Sequence, residues 1–231
     1  LFHWVEWKGI IKTVDHLFLP TESLGEFLPN KWSKQNLSAL YPGFDAATSK
    51  THNLKKSNEG LHLLYVGGVK PPYYDIAPIL EVVNQLNNNI TLVLCTREKE
   101  WREYRMYYER FDFKNINVKH VASNEISELY TRSDIVFDIR QSTGYLKLAL
   151  PMKIIAAMGH EVPQIVLEGT EFADLVKREN VGWVVSNPSQ AILLLERINE
   201  DRELLKDKVK SIKEVKMNHT WEQRAKQTAG I

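Results

Sequence analysis

The stretch LHLLYVGGVKPPYYDIAPILEVVNQLNNNITLVLCT, residues 61–96, contains the repeating unit of the fold. Two apolar runs rich in Val, Ile and Leu (61–68 and 90–96) flank DIAPILEVVNQLN (75–87), whose apolar residues recur with a helical period. Strands that are buried on both faces read as continuous apolar runs of this kind. The stretch therefore predicts a strand, a crossover helix and a second, parallel strand.

The alternation continues toward the carboxyl end of the chain. Further apolar runs, separated by segments of helical period, occupy residues 116–122, 134–140, 163–168 and 182–186, and the sequence after Pro188 is wholly helical. The pattern predicts an α/β fold with a doubly wound, Rossmann-like parallel sheet. Ligands of such sheets bind outside the carboxyl ends of the strands, so functional side chains are expected directly after the apolar runs.

Charge and composition narrow the class of protein. The 231 residues include 30 basic and 29 acidic side chains, a balance that argues against a nucleic-acid-binding protein. Apolar residues make up 43% of the chain, enough for one or two globular domains, and no stretch is long and apolar enough to span a membrane. Because Cys95 is the single cysteine, no internal disulfide can form, and a cytoplasmic location is expected.

Two further patterns are interpreted as structural. In TREKEWREYRMYYERF (96–111) the charges alternate in sign, and Trp101, Tyr104, Tyr108 and Phe111 recur at steps of three and four. This predicts an amphipathic helix with a solvated outer face. The histidines lack the spacing of metal ligands and no Asp-x-Asp pair follows a strand, so no metal site is expected.

The segment PMKIIAAMGHEVP, residues 151–163, raises a question about charge. Pro151 suits the first position of a helix and an apolar body follows it, yet Lys153 falls in the first turn. A cation there faces the positive end of the helix dipole and unpaired backbone N–H groups, which is unfavourable unless an anion lies close by. The lysine therefore either extends into solvent along the helix surface or meets a bound anion.

The order of these motifs resembles a known family. YVGGVKPPYYD (65–75), in which a glycine pair follows a strand, is by itself only a turn signal. Together with PMKIIAAM, VPQIV, GTEFADLVKRENVGWVV and HTWEQRAKQ, it resembles the carboxyl-terminal, donor-binding half of GT-B glycosyltransferases, especially retaining enzymes that use nucleotide sugars. Upstream, DHLFLPTES and LYPGFD resemble the last strands of the amino-terminal half of that fold. The resemblance covers nearly the whole chain, although no single motif in it is diagnostic.

The resemblance implies a division of the chain into parts. Residues 1–45 would be a remnant of the amino-terminal, acceptor-binding domain, and 46–60 a polar linker. Residues 61–216 would form the donor-binding domain and 217–231 a crossover helix, anchored by the packing of Trp221. Because the chain begins with a leucine rather than methionine, we expect it to be a fragment.

The resemblance also implies a donor site. The diphosphate of the nucleotide sugar would lie against the first turn of the helix at 151, where free N–H groups and Lys153 favour negative charge and would stabilise the departing diphosphate. Arg140, Ser142 and Thr143, which follow the preceding strand, are candidates for a different grip on the donor; alternatively, Asp138 and Arg140 form only a structural ion pair. Arg97 could meet a base or ribose, or have only a surface role. The residues expected to bind the donor are Gly67, Gly68, Lys70, Arg140, Ser142, Thr143, Leu150, Met152 and Lys153, and no catalytic residue is identified.

The sequence departs from the family at two acidic positions. Ala156 stands where retaining members usually carry a glutamate that binds the donor ribose, and Leu148 stands where many carry an acid that meets the donor sugar. Either the protein holds its donor differently, or the fold has kept its shape and lost its chemistry.

The glycine turn and the end of the helix also differ from the family pattern. Gly68 and Tyr73 replace an arginine and a lysine, for which Lys70 is a nearby substitute. Glu161 replaces a glycine before the next strand, so Gly159 is expected to end the helix instead.

The leading hypothesis is a cytoplasmic glycosyltransferase of hexosyltransferase type. It would move a sugar from a UDP- or GDP-linked donor to an unknown acceptor in the synthesis of cell-surface polysaccharide or glycoconjugate, with no further cofactor. No nucleic-acid partner is expected, and any peripheral contact with a membrane would come from the missing domain. The fragment alone should be inactive, because two domains must close around the substrates. The alternatives are a non-catalytic sugar-nucleotide-binding or protein-interaction module, and a sugar-nucleotide epimerase, whose acidic and histidine groups have no place in the sequence.

Overall fold

The computed structural model of the protein describes residues 14–28, 36–47, 49, 60–141 and 144–230. Within these ranges the strands β1 to β8 are, in order, Leu17–Leu19, Leu37–Ala39, Leu61–Val66, Ile90–Cys95, Ile116–Lys119, Ile135–Asp138, Gln164–Leu167 and Gly182–Val185. The α-helices α1 to α9 are, in order, Ala77–Gln85, Glu98–Tyr104, Ile126–Thr131, Tyr145–Leu148, Met152–Gly159, Glu171–Arg178, Pro188–Glu200, Glu203–Val215 and Trp221–Ala229.

Six strands form one parallel sheet in the order β5-β4-β3-β6-β7-β8. The chain enters this sheet in the middle with β3, adds β4 and β5 on one side, and then crosses to β6 on the other. The strand order therefore reverses between β3 and β6, which pair directly. At such a switch point the loops that follow the two strands run apart and leave a crevice at the carboxyl edge of the sheet.

Helices cover both faces of this sheet. On one face α1 and α7 pack over fully buried side chains such as Leu63, Leu92 and Ile135. On the other face α3 and α5 pack over Leu64 and Val136. Because successive strand residues point to opposite faces and both faces are covered, each strand is a continuous apolar run. The predicted doubly wound α/β fold is confirmed.

The aromatic helix predicted over 96–111 is shorter than expected. Helix α2 ends at Tyr104, and Arg105–Tyr108 continue as a 3₁₀-helix. The Tyr108 side chain is fully buried, and its ring stacks on that of Trp101 with 6.4 Å between the centroids. The hydroxyl of Tyr108 donates to the carbonyl oxygen of Val69 at 2.7 Å, which fixes this segment against the turn after β3.

The amino-terminal part of the described chain contacts the sheet domain. Strands β1 and β2 pair in parallel. The hydroxyl of Thr21 donates to the carbonyl oxygen of Leu148 at 2.7 Å, and the N–H of Ser23 donates to the carboxylate of Glu171 at 2.7 Å. The division into parts at 46–60 stays a prediction, and most of that segment lies outside the described residues.

The last helix is fastened by its backbone rather than by its tryptophan. The N–H of Trp221 donates to the carbonyl oxygen of Phe44, and the N–H of Phe44 donates to that of His219, at 3.1 and 3.0 Å. Thr220 caps the helix by accepting from the N–H of Gln223. The side chain of Trp221 is 51% exposed, so the prediction that it anchors the helix by packing is wrong.

Helix α5 ends at Gly159, as predicted, but the turn that follows it is unexpected. Gly159 is its last residue and lies against Phe44, whose ring would be only 2.7 Å from an added Cβ. The left-handed conformation falls instead on Glu161, with a φ of 61°. Its carboxylate pairs with Lys216 at 2.6 Å and Lys213 at 3.6 Å. These ion pairs help to offset a backbone conformation that costs a non-glycine residue about 1–2 kcal/mol.

Candidate anion-binding site

Three segments meet at the switch point of the sheet. β3 ends at Val66 and runs into the glycine pair, β6 ends at Asp138 and is followed by Arg140, and α5 carries Lys153 in its first turn. Because β3 and β6 are neighbours, the segments that follow them lie side by side. The site therefore lies at the edge of the sheet where folds of this kind bind their ligands.

The centre of the site is a buried carboxylate that two cations share. Nε and Nη2 of Arg140 lie 2.7 and 2.8 Å from the two carboxylate oxygens of Asp138, a bidentate contact. Nζ of Lys153 lies 2.8 Å from Oδ2 of the same carboxylate. The side chains of Asp138, Arg140 and Lys153 are 0%, 4% and 8% exposed. The cluster of these three residues is therefore positively charged whenever Lys153 is protonated.

Two tyrosine rings complete the walls of this cluster. Nζ of Lys153 lies 3.9 Å from the centre of the Tyr65 ring, and Cζ of Arg140 lies 5.4 Å from that ring and 5.6 Å from the ring of Tyr74. Tyr65 is fully buried and donates its hydroxyl proton to the carbonyl oxygen of Gly68 at 2.7 Å. Aromatic faces attract cations, so the rings replace part of the hydration that burial removes.

Burial and neighbouring charges shift the protonation of the cluster. Burial alone would raise the pKa of Asp138, but the charges of Arg140 and Lys153 outweigh it and hold that pKa well below its usual range. Burial, and then repulsion from Arg140, lower the pKa of Lys153 to about 7, against a weaker opposing attraction from Asp138. Lys153 can therefore gain or lose its proton near neutral pH, whereas Asp138 stays ionised.

The anion beside Lys153 in this structure is Asp138, and the ion pair of Asp138 with Arg140 is present. The ammonium does not extend into solvent, so that interpretation is wrong. Helix α5 itself supplies no acid in its first turn and no side-chain cap. Although Asp138 is close, Nζ of Lys153 has no partner in hydrogen-bonding alignment among the residues that the structure describes. An ammonium has three N–H donors, so this buried group retains donors that lack an aligned acceptor.

Neighbouring side chains lie close to the glycine pair after β3. An added Cβ at Gly67 would lie 3.0 Å from the hydroxyl of Tyr65 and 3.3 Å from Nζ of Lys153. One at Gly68 would lie 2.8 Å from Oε1 of Glu100. Neither glycine has a positive φ, so a side chain here would crowd the ends of neighbouring side chains without straining the backbone.

The carboxylate of Glu100 reaches this turn from helix α2. Its Oε1 accepts hydrogen bonds from the backbone N–H groups of Val69, at 2.6 Å, and Lys70, at 3.1 Å. The N–H of Gly67 donates to the carbonyl oxygen of Cys95. N–H groups that a glycine turn can offer to a phosphate are thus already bonded within the protein.

The other residues predicted to bind a donor have different surroundings. Lys70 is exposed, and its Nζ lies 5.9 Å from the centre of the Tyr104 ring. Met152 is 52% exposed at the start of α5, whereas Leu150 is 9% exposed and packs in the apolar cluster around Ile154. The structure therefore brings Gly67, Arg140 and Lys153 together and leaves Leu150 in the core.

Three positions remain, two from the set expected to bind the donor and Arg97, which stands outside that set. Ser142 and Thr143 lie outside the described residues. Arg97 has an 89% exposed side chain whose Nη1 lies 3.8 Å from Oε2 of Glu100, which is the surface role that the sequence left open.

Ala156 and Leu148 stand at the two positions where the family usually carries acids. Leu148 accepts a hydrogen bond from Thr21 through its backbone carbonyl oxygen. Ala156 is partly buried and packs against the cluster that contains Leu64, Cys95 and Tyr130. Nothing in the sequence pattern marked Tyr65 or Glu100 as part of the site, because a tyrosine inside a strand and a glutamate in the first turn of a helix are ordinary in those positions.

The described ranges hold no group of three or more His, Cys, Asp or Glu side chains that could bind a metal ion. The helices formed by these residues are also too short or too polar to cross a membrane.

The doubly wound parallel sheet matches the fold of GT-B glycosyltransferases, and solved structures of that class superpose on this chain. HepE from Anabaena, in a crystal structure with UDP and glucose, matches with a TM-score of 0.76 at 12% identity. The match covers 98% of this chain and 66% of HepE. A glycosyltransferase from Rickettsia africae matches with a TM-score of 0.77 at 11% identity, over 96% of this chain and 65% of its own.

Domain structures and sequence models extend the comparison. The carboxyl-terminal domain of LpcC from Francisella tularensis matches with a TM-score of 0.56 at 17% identity, over 78% of this chain and all of that domain. The model of the family described as "Glycosyl transferase-like" matches residues 77–230, and the chain therefore belongs to that family. The predicted resemblance to GT-B glycosyltransferases is confirmed, and the retaining type stays a prediction. No curated protein matches the chain by sequence.

Proposed function

We propose that the chain is the donor-binding part of a glycosyltransferase and that it binds the diphosphate of a nucleotide sugar at the cluster of Asp138, Arg140 and Lys153. The observation that carries this proposal is the buried ammonium of Lys153, which has unused donors at the start of α5. HepE has been crystallised with UDP and with UDP-glucose, so UDP is the first nucleotide to test.

The chemistry of sugar transfer suits this arrangement. Breaking the glycosidic bond leaves negative charge on the departing diphosphate, and Lys153 and Arg140 supply positive charge that is already in place. Asp138 balances one of the two cations, which leaves the other for the ligand. We further propose a hexosyl donor linked to UDP or GDP, an acceptor in cell-surface polysaccharide or glycoconjugate synthesis, a cytoplasmic location, and no additional cofactor.

Calorimetric titration with UDP tests the assignment. We expect saturable binding by the wild type, and we expect Lys153→Met to weaken it by about tenfold to a hundredfold, as loss of a hydrogen bond from a charged group implies. Lys210→Met is the matched control, because Lys210 is an exposed lysine on helix α8, and it should leave the affinity unchanged. An equal loss in both variants, or no binding of UDP and GDP by the wild type, would contradict the proposal.

Binding should also be linked to proton uptake. At about pH 8 most of Lys153 is neutral, because its pKa is lowered to about 7, and a bound diphosphate raises that pKa by favouring the charged form. Titration in buffers of different ionisation enthalpy should therefore show uptake of up to about one proton per UDP at that pH, where the phosphates of UDP are already fully ionised. Lys153→Met should abolish this uptake, and uptake that persists in the variant would assign the proton to another group.

A non-catalytic sugar-nucleotide-binding module is the second candidate function, and the apolar surroundings of Ala156 favour it. The two candidates differ in turnover. Under the transferase proposal the full-length protein transfers or hydrolyses the sugar of its donor, while this chain alone binds UDP without turnover. Binding without any turnover by the full-length protein would favour the module.

A further inference from the structure

Two successive backbone N–H groups in the turn after β3 converge on one acceptor. The N–H of Val69 and the N–H of Lys70 lie 2.6 and 3.1 Å from Oε1 of Glu100. Successive N–H groups that point at a common centre form a nest, a concave backbone site that binds anions. In this structure the anion in the nest is a side chain of the protein itself.

The carboxylate of Glu100 is docked in this nest rather than solvated. Its side chain is 15% exposed, although it stands in the first turn of a helix whose other acid in that turn, Glu98, is 56% exposed. Gly68 leaves the necessary space, since an added Cβ there would meet Oε1 at 2.8 Å. The other oxygen, Oε2, lies 3.8 Å from the guanidinium of Arg97.

The nest adjoins the cationic cluster. Gly67, next to Gly68 in the same turn, lies against Nζ of Lys153, which is 3.3 Å from the ideal position of a Cβ at Gly67. An anion at Lys153 therefore approaches both the N–H groups of the turn and the negative charge that covers them. The N–H groups attract such an anion, and Glu100 repels it.

We propose that the nest formed by Val69 and Lys70 is a second phosphate-binding position, and that Glu100 occupies it in competition with the ligand. A phosphate group that enters must displace the carboxylate, which then pairs with the exposed Arg97 or with solvent. The inference rests on the proposed function only for the identity of the natural ligand. Binding to the nest itself can be measured with any diphosphate. Glu100 would thereby lower the affinity of the site for phosphate compounds that lack further contacts.

Titration with pyrophosphate tests this competition. Glu100→Ala empties the nest and removes a like charge, and Glu100→Gln keeps an acceptor oxygen but removes the charge. We expect Glu100→Ala to bind pyrophosphate about tenfold more tightly than the wild type, with Glu100→Gln in between. Glu109→Gln, an exposed glutamate of the same segment, makes the same change in net charge and should bind as the wild type does.

Amide chemical shifts provide a direct second measurement. In Glu100→Ala, pyrophosphate should shift the ¹⁵N–¹H signals of Val69 and Lys70, whereas in Glu109→Gln these signals should move only at higher ligand concentration. Thermal unfolding checks that the variants are folded, and Glu100→Gln carries the test if Glu100→Ala is not.

The outcomes separate the inference from the proposed function. Tighter pyrophosphate binding by both Glu100 variants supports the nest even if UDP does not bind. If UDP binds the wild type and the folded Glu100 variants bind pyrophosphate no more tightly than the wild type, the nest proposal fails and the donor site stands. Absence of pyrophosphate binding to every folded variant at millimolar concentration would also overturn the nest.

Discussion

Replacing Asp138 with asparagine should lower the free energy of unfolding by about 3–5 kcal/mol, because removal of one partner from a buried ion pair leaves charge uncompensated. Arg140 and Lys153 would then face each other in a site where their side chains are 4% and 8% exposed. Asparagine has nearly the same shape as aspartate, so the loss would come from charge rather than from packing. Urea unfolding followed by circular dichroism measures the change.

The control for this variant is an exposed ion pair. Glu128→Gln breaks the ion pair with Arg132. The side chains of Glu128 and Arg132 are 54% and 68% exposed, so the substitution should change the free energy of unfolding by less than about 1 kcal/mol. If both substitutions had the same small effect, the cluster would not be a buried, charge-coupled unit.

The stability loss caused by Asp138→Asn should depend on pH in a defined direction. The folded pKa of Lys153, about 7, lies below its ordinary value, so the folded state binds fewer protons above that pH and gains stability as the pH rises toward the ordinary value. Without Asp138 the pKa of Lys153 falls further, because the attraction that raised it is gone. The variant then excludes a proton that the wild type holds, and its loss of stability should be larger at about pH 6 than at about pH 8. A loss that is independent of pH would contradict this coupling.

Gly182→Ala should destabilise the protein by about 3 kcal/mol or more, or prevent folding, because the added methyl group has no space. An ideal Cβ at Gly182 would lie 2.0 Å from the carbonyl oxygen of Gln164 and 2.8 Å from its backbone N and C atoms. These residues are register partners in β7 and β8. Backbone atoms cannot swing aside as a flexible side chain does, so the edge strand β8 would have to separate from β7.

Gly25→Ala is the matched control for the crowding at Gly182. The nearest atom to its ideal Cβ is Cδ1 of Leu19 at 3.7 Å, an ordinary contact, and stability should stay within about 1 kcal/mol of the wild type.

Gln164 also donates its side-chain amide to the carbonyl oxygen of Ile154, in the turn that carries Lys153. A folded Gly182→Ala protein should therefore also bind UDP more weakly. Equal stability of the two alanine variants would show that β8 adjusts freely.

The layers of the fold could be predicted from the sequence because they follow from local periodicity. Apolar runs of strand length and segments of helical period alternate from Leu61 to Val185, and each corresponds to a strand or helix of the structure. The conformation of the turn after α5 could not be predicted in this way. Glu161 adopts a left-handed conformation that its residue type disfavours, and the lysines that pair with it come from a distant part of the chain.

The sequence predicted where the candidate site lies, but only some of the residues that form it. The sequence by itself determined that a lysine stands in the first turn of α5 at the carboxyl edge of a parallel sheet, and it left open whether that lysine meets an anion or extends into solvent. Only the tertiary structure decided that the nearest anion is Asp138, that Tyr65 lies beneath the ammonium, and that Glu100 fills the glycine turn. The physical reason is that secondary structure depends on the pattern of neighbouring residues, whereas charge balance depends on groups far apart in sequence that the sheet order brings together.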